Sequence, residues 1–313
     1  MGNSCHCISP APKDDLNVIT IELNNPRADL LELEVSTFVT EESAQPIDSF
    51  PPNSPKALLA EARLGKFAFF ENDELPQELG DPVTTGEGWM YIGQFDDQWR
   101  KCGRGIFLWD SGAKYIGYWE NDQANGYGRL VHANGDLYEG EWRDDKAWGR
   151  GKFVHLSGTE YEGDWVDDLQ EGFGVERWPD GAYYVGSYVE GQKHGEGEFH
   201  WSDNSLYKGE FVMNKLQGKG LYQWEDGRSY QGEWANNKMH GTGKFVWPDG
   251  KVYEGEFRHD LRSGFGEFRD TDGRSYRGFW ENGKKHGRGT QVDTQGSRKE
   301  GLWTNGKLVR WLD

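Results

Sequence analysis

Through most of this 313-residue chain, tyrosine recurs at one fixed interval, the same as that between positions 115 and 138. The tyrosines in this register are Tyr115, Tyr138, Tyr161, Tyr184, Tyr207, Tyr230, Tyr253 and Tyr276. Tyr91 precedes Tyr115 by a slightly longer step, so the first unit carries an insertion of a single residue. A glycine follows each of these tyrosines by two positions, and an aromatic residue follows that glycine by two more. Such periodicity decides the fold, because each unit must be one repeated piece of supersecondary structure.

Within each unit the residues alternate as they do in a β-strand, so the Tyr, Gly and Trp of Tyr-x-Gly-x-Trp share one face. Polar residues such as Glu139 take the alternate positions and are expected to face water. A Gly-x-Gly pair, for example Gly149 and Gly151, then begins a second alternating run. Dipeptides such as Asn134-Gly135 supply the positive φ that tight hairpin turns require. Each unit is therefore predicted to be a β-hairpin.

One such hairpin cannot fold alone, because burial of three aromatic rings does not offset the backbone entropy that its residues lose. The units must therefore stack edge to edge. We predict an all-β fold, an elongated, twisted, single-layer antiparallel sheet of 19 strands from nine hairpins and a closing half unit. Glycine (44) and tryptophan (15) are abundant, so aromatic rings packed on glycine are expected to replace an aliphatic core.

The repeated segments resemble a known family. Tyr-Glu-Gly-Glu-Trp (138–142), Tyr-Gln-Gly-Glu-Trp (230–234) and Lys-His-Gly-Arg-Gly (285–289) are similar to MORN repeats, over residues 91 to about 306. The units look most like the long MORN arrays of alveolates, namely ciliates, dinoflagellates and apicomplexans. The resemblance implies tethering near membranes, binding of a partner peptide in a groove, and self-association, as a homodimer, through the C-terminal repeats.

This resemblance favours a non-enzymatic scaffold or adaptor that binds partner proteins along a groove of aromatic residues and glycine. The predicted groove residues are Tyr115, Trp119, Tyr138, Trp142, Tyr161, Trp165, Tyr184, Tyr207, Tyr230, Trp234, Tyr253, Tyr276 and Trp280. The sequence does not identify the protein partner.

The residues before the array differ in composition from the repeats. Residues 1–53 are rich in Pro, Asp, Glu, Ser and Asn, and are predicted to be an acidic, mostly disordered tether. In residues 54–90, Ser54-Pro55 and Gly65 have the positions of an N-cap, a first-turn proline and a C′ glycine. They predict a short helix over 55–64 that caps the array, which then occupies residues 91–313.

The first seven residues, Met-Gly-Asn-Ser-Cys-His-Cys, resemble a lipidation signal. After removal of the initiator methionine, Gly2 would carry myristate, and Cys5 and Cys7 would carry palmitate. His6 stands where the motif prefers Ser or Thr, so an unmodified N-terminus with two incidental cysteines is the alternative. Two acyl chains anchor a protein stably, whereas one binds only marginally. We expect the cytoplasmic face of a membrane or a membrane-associated cytoskeleton, such as a pellicle, cilium or cell cortex.

The charge distribution argues against nucleic acid as a partner and suggests anionic lipid as one. The formal net charge is −18, a poor match to the phosphates of nucleic acid. Residues 276–313 differ, with 8 basic and 4 acidic side chains. The candidate contacts to anionic lipid are Lys284, Lys285, Arg288, Arg298 and Lys299. The alternatives to a scaffold are therefore an anionic-phospholipid (phosphoinositide) binding module or a regulatory subunit of an enzyme, and an ordinary mixed surface also explains these charges.

No sequence pattern predicts catalysis. The Gly-x-Gly pairs always lie inside predicted hairpins and lack the Lys-Ser/Thr of a phosphate-binding loop. His194, His240 and His286 stand two repeats apart, which separates them by about 19 Å in a stacked sheet, too far to share one metal ion. We therefore predict no enzyme, no metal and no cofactor. Because cysteine occurs only at positions 5, 7 and 102, no disulfide framework is predicted.

Overall fold

The computed structural model describes residues 62, 65–70, 75, 78–85 and 88–312. This part of the chain forms one β-sheet of 21 strands. They are β1 Val83–Thr85, β2 Trp89–Phe95, β3 Lys101–Trp109, β4 Lys114–Glu120, β5 Gln123–Val131, β6 Leu137–Arg143, β7 Lys146–Val154, β8 Glu160–Val166, β9 Leu169–Arg177, β10 Tyr183–Val189, β11 Gln192–His200, β12 Leu206–Val212, β13 Lys215–Gln223, β14 Ser229–Ala235, β15 Lys238–Val246, β16 Val252–Arg258, β17 Leu261–Arg269, β18 Ser275–Glu281, β19 Lys284–Val292, β20 Arg298–Thr304 and β21 Lys307–Trp311.

Each strand pairs in antiparallel fashion with the next along the chain, from β1–β2 through to β20–β21. The sheet is therefore a continuous meander, and at an ordinary strand spacing it measures roughly 95 Å across its strands. The predicted all-β, single-layer antiparallel sheet is confirmed.

In every hairpin from β4–β5 onward, a two-residue turn follows the first strand, whereas residues 96–100 form a longer loop between β2 and β3. In the hairpin of β6 and β7 both turn residues have positive φ, 50° at Asp144 and 66° at Asp145, which is the type I′ geometry that matches hairpin twist. The prediction that Asn134-Gly135 forms such a tight turn was wrong. That dipeptide lies in the loop between hairpins, where the N–H of Gly135 donates to the carbonyl of His132 at 2.9 Å. The loop is a type I turn that ends in a left-handed glycine.

In the hairpins from β2–β3 to β18–β19, the second strand carries a bulge at the first glycine of Gly-x-Gly. In β7, Gly149 has a φ of 63°. The pairing with β6 then shifts, because Gly140 opposes Gly151 whereas Trp142 opposes Ala147. A bulge of this kind bends the strand and increases its twist, and here it recurs in each of these hairpins.

The core is a ladder of aromatic rings packed on glycine. The ring of Tyr138 covers Gly140 and Gly151, since a Cβ atom at Gly140 would lie only 2.7 Å from the tyrosine hydroxyl oxygen. The same ring makes edge contacts with Trp142 of its own hairpin and Trp165 of the next, at centroid distances of 5.1 and 5.2 Å. Each tyrosine therefore joins two repeats, and the prediction that rings pack over glycine is confirmed.

Both ends of the sheet extend beyond the predicted strands. A short strand, β1, precedes the first hairpin, and the last unit forms a complete hairpin, β20–β21, where the sequence predicted one closing strand. Lys299 stands in place of the repeat tyrosine, and Trp311 of the added strand packs against Trp303 at 5.9 Å. The predicted tether at 1–53 lies outside the described residues, and so does the predicted helix at 55–64 except for Ala62.

Candidate interaction surfaces

The aromatic side chains predicted to line a partner groove form the core of the sheet. Each of them is at most 7 % exposed. They are Tyr115, Trp119, Tyr138, Trp142, Tyr161, Trp165, Tyr184, Tyr207, Tyr230, Trp234, Tyr253, Tyr276 and Trp280. Burial corrects the groove assignment, because these rings contact one another and leave almost no surface for a partner.

The polar atoms of these rings are satisfied within the sheet, except for the buried indole N–H of Trp119, which has no hydrogen-bond partner among the described residues. The hydroxyl of Tyr138 donates to the carbonyl of Glu141 at 2.9 Å, and the indole N–H of Trp142 donates to the carbonyl of Gly128 at 3.0 Å. Burial, and next the nearby charge of Glu141, raise the pKa of Tyr138 far above its ordinary value. The repeated rings are therefore neutral and bonded within the sheet; the face that carries the repeated Tyr, Gly and Trp is here called the tyrosine face.

The opposite side of the sheet, here called the charged face, carries the residues that alternate with Tyr, Gly and Trp. Ion pairs connect neighbouring strands on this face. Arg150 and Asp164 lie 3.0 Å apart, and Lys208 and Glu198 lie 2.5 Å apart. Such exposed pairs contribute little to stability. The charged face presents these paired side chains to solvent along the array.

At its N-terminal end the charged face is covered by residues 65–70, Gly-Lys-Phe-Ala-Phe-Phe, here called the docked segment. The ring of Phe67 stacks on Tyr127 at 6.0 Å, and the ring of Phe70 stacks on Tyr118 at 5.8 Å. Phe69 packs edge-on against Tyr118 at 5.5 Å. The docked segment has no regular secondary structure and adds no strand to the sheet. It is held by its side chains and by contacts to its backbone.

Two arginines of the sheet bind the backbone of the docked segment. Arg104 donates to the carbonyl of Phe70 at 2.8 Å, and Arg129 donates to the carbonyl of Gly65 at 2.6 Å. Arg129 also forms an ion pair with Glu139 at 2.6 Å and is only 4 % exposed. Charge-assisted bonds of this kind, buried beneath aromatic rings, are stronger than exposed ones. The segment is therefore held on the charged face through its backbone as well as through its rings.

The hairpin turns are attached to the preceding hairpin. Asp145 receives a hydrogen bond on Oδ1 from the N–H of Ala124 at 2.7 Å, and its own N–H donates to the carbonyl of Ala124 at 3.1 Å. Asp168 repeats this arrangement with Ala147. Burial raises the pKa of Asp168, although its bond from Ala147 acts in the opposite direction. These carboxylates join repeats, and the sequence analysis missed that role.

The structure divides the predicted lipid-contacting cations between the two faces. Lys285 pairs with Trp280 and Lys299 pairs with Gln291, so both lie on the tyrosine face. Lys284, Arg288 and Arg298 lie on the charged face by the same register. Lys285 is half-buried, with its ammonium 4.5 Å from the Tyr276 ring centre, and burial lowers its pKa. The five cations therefore do not form one patch.

The candidate lipidation residues Gly2, Cys5 and Cys7 lie outside the described residues. Within the described ranges no three His, Cys, Asp or Glu side chains are grouped as metal ligands would be. In the same ranges no helix combines the length and apolar character needed to cross a bilayer.

The MORN-repeat model matches eight consecutive segments that together exceed half of the chain. They are 115–137, 138–159, 161–183, 184–206, 207–227, 230–252, 253–273 and 276–298. The chain belongs to the MORN-repeat family. Its MORN array indicates a repeat scaffold for interaction with proteins or membranes. No curated protein sequence matches this MORN protein.

Several solved structures share some of the antiparallel ribbon of this MORN protein. The TCP10 domain of Danio rerio CPAP is 13 % identical, with a TM-score of 0.37, over 66 % of this chain and 98 % of that one. The TCP domain of Drosophila melanogaster SAS-4, solved with a proline-rich motif of Ana2, is 16 % identical, with a TM-score of 0.33, over 59 % of this chain and 100 % of that one. Similarity at this level says nothing about function.

The charged face of the MORN array also holds aromatic residues that the sequence analysis passed over. Beyond Tyr118 and Tyr127, which lie under the docked segment, Phe173, Phe265 and Phe279 are exposed on it. The available signal was their position, since each occupies a place that is polar in most repeats. An aromatic residue in the polar phase of a strand has no core to fill, and two such residues in contact form an exposed apolar patch that indicates a contact surface.

Proposed function

We propose that this MORN protein is a non-enzymatic scaffold that is held at a membrane by N-terminal acyl groups and binds extended segments of partner proteins on the charged face. The observation that supports partner binding is the docked segment at 65–70. Aromatic stacking and two arginine–carbonyl bonds hold it on the sheet without strand addition. Recognition of extended peptides through backbone bonds and side-chain pockets is common among adaptor modules.

The architecture suits a scaffold, because the backbone and core repeat while the charged face varies. Every hairpin presents the same strand spacing, so a partner meets sites at regular intervals along a ribbon roughly 95 Å long. The tyrosine rings form the core of the array. We propose no catalytic activity for it. An exposed terminal strand, β21, also suits pairing with a second copy through the C-terminal repeats.

The membrane part of the proposal rests on Gly2, Cys5 and Cys7. Two of the chain's three cysteines lie within five residues of the glycine that would carry myristate. Two or three acyl chains suffice for stable anchoring. The proposed location is the cytoplasmic face of a membrane or the cytoskeleton beneath it, as in a pellicle, cilium or cell cortex.

Membrane fractionation tests the anchor. The variant Gly2→Ala, Cys5→Ser, Cys7→Ser should move from the membrane pellet to the supernatant, because it lacks every proposed acyl site. Cys102→Ser is the matched control, since this cysteine lies in β3, and it should pellet like the wild type. Pelleting of the triple variant at the wild-type level would contradict the anchor.

Photo-cross-linking tests the binding surface in cells. A photoreactive amino acid in place of Phe173, which is exposed on the charged face, should give a discrete adduct. The same group in place of Gln295, an exposed loop residue, should give none. Equal adducts at both positions would contradict a partner surface on the charged face.

Anionic-lipid recognition is the competing function, favoured by the basic side chains of residues 276–313. Sedimentation of the unacylated chain with phosphatidylserine or phosphoinositide vesicles separates the two functions. A scaffold should not sediment, and salt-sensitive sedimentation that is lost in Lys284→Gln, Arg298→Gln would favour lipid recognition instead. The separation of Lys285 and Lys299 from the other three cations supports the scaffold.

A further inference from the structure

Two phenylalanines form an exposed aromatic pair near the C-terminal end of the charged face. Phe265 of β17 and Phe279 of β18 stand directly opposite each other in the sheet. Their ring centroids are 5.6 Å apart at an interplanar angle of 78°, and the side chains are 42 % and 51 % exposed. Single exposed apolar residues need no explanation, but a contacting pair on an otherwise charged surface does.

The repeat places this pair at the same positions as the site of the docked segment. Phe265 and Phe279 follow Arg104 and Tyr118 by seven whole repeats. The register confirms the correspondence, since Arg104 opposes Tyr118 just as Phe265 opposes Phe279. At the N-terminal site the ring of Phe69 lies 5.3 Å from the Arg104 guanidinium and 5.5 Å from the Tyr118 ring. The two sites therefore share a backbone frame, and one of them already holds a peptide aromatic residue.

The side chains around the C-terminal pair differ in their charge. Arg277 lies with its guanidinium 5.6 Å from the Phe265 ring centre and forms no ion pair with a described residue. Arg288 occupies the position that Tyr127 has in the N-terminal site, and it pairs with Glu300 at 3.2 Å.

Carboxylates lie beside the exposed rings too. Glu256 accepts from the N–H of Phe265 at 2.8 Å. Glu267, which stands opposite Arg277, is bonded to Arg269. Arg277 is therefore the cation beside the rings whose charge has no ion partner among the described residues. The docked segment itself carries Lys66, whose charge Arg277 would repel.

We propose that Phe265, Phe279 and Arg277 form a second docking site, whose occupant is an extended acidic and aromatic segment of a partner protein. The rings receive one aromatic side chain of the partner, as Arg104 and Tyr118 receive Phe69. Arg277 pairs with a carboxylate beside that side chain. The site deepens the proposed function, on which it rests, by naming the chemistry of the partner.

Binding of a labelled peptide to the full chain tests the site. The probe is fluorescein-labelled Gly-Glu-Phe-Glu-Phe-Glu-Gly, and its matched control replaces each Glu by Lys. Fluorescence anisotropy should show saturable binding of the acidic peptide alone. Phe265→Thr with Phe279→Thr should weaken that binding by about tenfold or more, because the ring contacts are lost. Both positions are exposed and threonine favours strands, so the fold should persist.

Two further variants separate the contribution of the Arg277 charge from that of the aromatic rings. Arg277→Gln should weaken binding by about threefold to fivefold and reduce its salt dependence, because it removes a charge pair. Val212→Thr is the matched control, since this exposed apolar side chain lies on the same face without an aromatic neighbour opposite, and it should leave binding unchanged.

Three results would overturn the proposal. They are absence of saturable binding, equal binding of the lysine peptide, and equal binding by the Phe265→Thr, Phe279→Thr variant. A wild-type dimer that this variant converts to a monomer, without peptide binding, would show that a second copy covers the pair. Each outcome is distinguishable from failure of the proposed function, because membrane fractionation and cross-linking at Phe173 do not depend on these residues.

Discussion

The two ends of the charged face share one backbone and differ in what lies on it. At the N-terminal end Arg104 and Tyr118 lie beneath the docked segment, whereas Phe265 and Phe279 at the other end are bare. The tyrosine face is alike at both ends, with the same ring-on-glycine packing. The repeats therefore keep the packing of one face constant while the side chains of the other face vary.

Carboxylates at the two ends of the charged face also differ in whether they are covered or exposed. Glu139 and Glu300 occupy equivalent positions, seven whole repeats apart. Glu139 receives bonds from the hydroxyl of Tyr127 at 3.0 Å and from Arg129 at 2.7 Å, beneath the docked segment. Glu300 has one exposed pair, with Arg288. Because the docked segment covers it, Glu139 belongs to a buried hydrogen-bond network, whereas Glu300 remains an exposed surface carboxylate.

The largest expected effect tests whether the core is the same at both ends. Gly117→Val and Gly278→Val stand at equivalent positions, where a Cβ would lie 2.6 and 2.8 Å from the hydroxyl of the covering tyrosine. Each should lower the free energy of unfolding by about 3 kcal/mol, since the ring must move. Thermal unfolding followed by circular dichroism measures this. A large loss at one position alone would show that the two cores differ.

Removal of an arginine should lower stability more at the N-terminal end than at the C-terminal end. Arg129→Met leaves Glu139 without its buried partner and should cost about 2 kcal/mol. Arg288→Met breaks an exposed pair and should cost less than about 0.5 kcal/mol. Urea unfolding of the two variants provides the measurement. Equal costs would mean that the docked segment does not shield the Arg129–Glu139 pair.

Loss of the docked rings should affect only the N-terminal end. Phe67→Ser with Phe70→Ser removes the stacking on Tyr127 and Tyr118, which should cost about 1 to 2 kcal/mol. Hydrogen exchange should then accelerate in β4 and β5 and remain unchanged in β17 and β18. Phe173→Ser, outside the covered region, is the control. Unchanged exchange in β4 would show that the segment contributes no protection there.

The smallest effect concerns alkaline pH. Burial, and next the charge of Glu139, raise the pKa of Tyr127 to about 12 from an ordinary 10.0. A raised phenol pKa gives stability that is complete below pH 10 and is lost between pH 10 and about 12, because ionisation then favours the unfolded chain. Tyr127→Phe should therefore lose slightly less stability than the wild type over that range, as measured by unfolding at stepped pH. Identical pH profiles would contradict the assignment.

The repeat predicted the fold because its period is strict. Each tyrosine needs two glycines beneath it, so the spacing of Tyr138, Gly140 and Gly151 determines register as well as strand order. The turns were harder to predict, because Asp144 and Asp145 adopt positive φ without glycine while Asn134-Gly135 serves the longer loop. Asp and Asn tolerate the left-handed region, and their turn role appears only in the structure.

The binding surface could not be predicted in the same way. Assignment of the repeated aromatic residues to a groove failed because a single sheet buries its own rings when they lie flat on glycine. The site of the docked segment depends on contacts between residues 65–70 and strands as distant in sequence as β5, which no periodicity records. Only the polar-phase aromatics, such as Phe265 and Phe279, carried a usable signal.

The way in which the turns are attached determines which hairpins separate first under mechanical load. Six turns fasten to the preceding hairpin through both an N–H group and a side-chain oxygen, as Asp145 and Asp260 do. Three turns end in a glycine, Gly191, Gly283 and Gly306, which has no side-chain oxygen to give, although the carbonyl of Gly283 accepts from the Arg262 side chain at 2.9 Å. Tension along the array should therefore separate hairpins first at glycine turns, one in the middle of the array and two near its C-terminal end. The array would then lengthen stepwise while the hairpins with doubly bonded turns kept their shape.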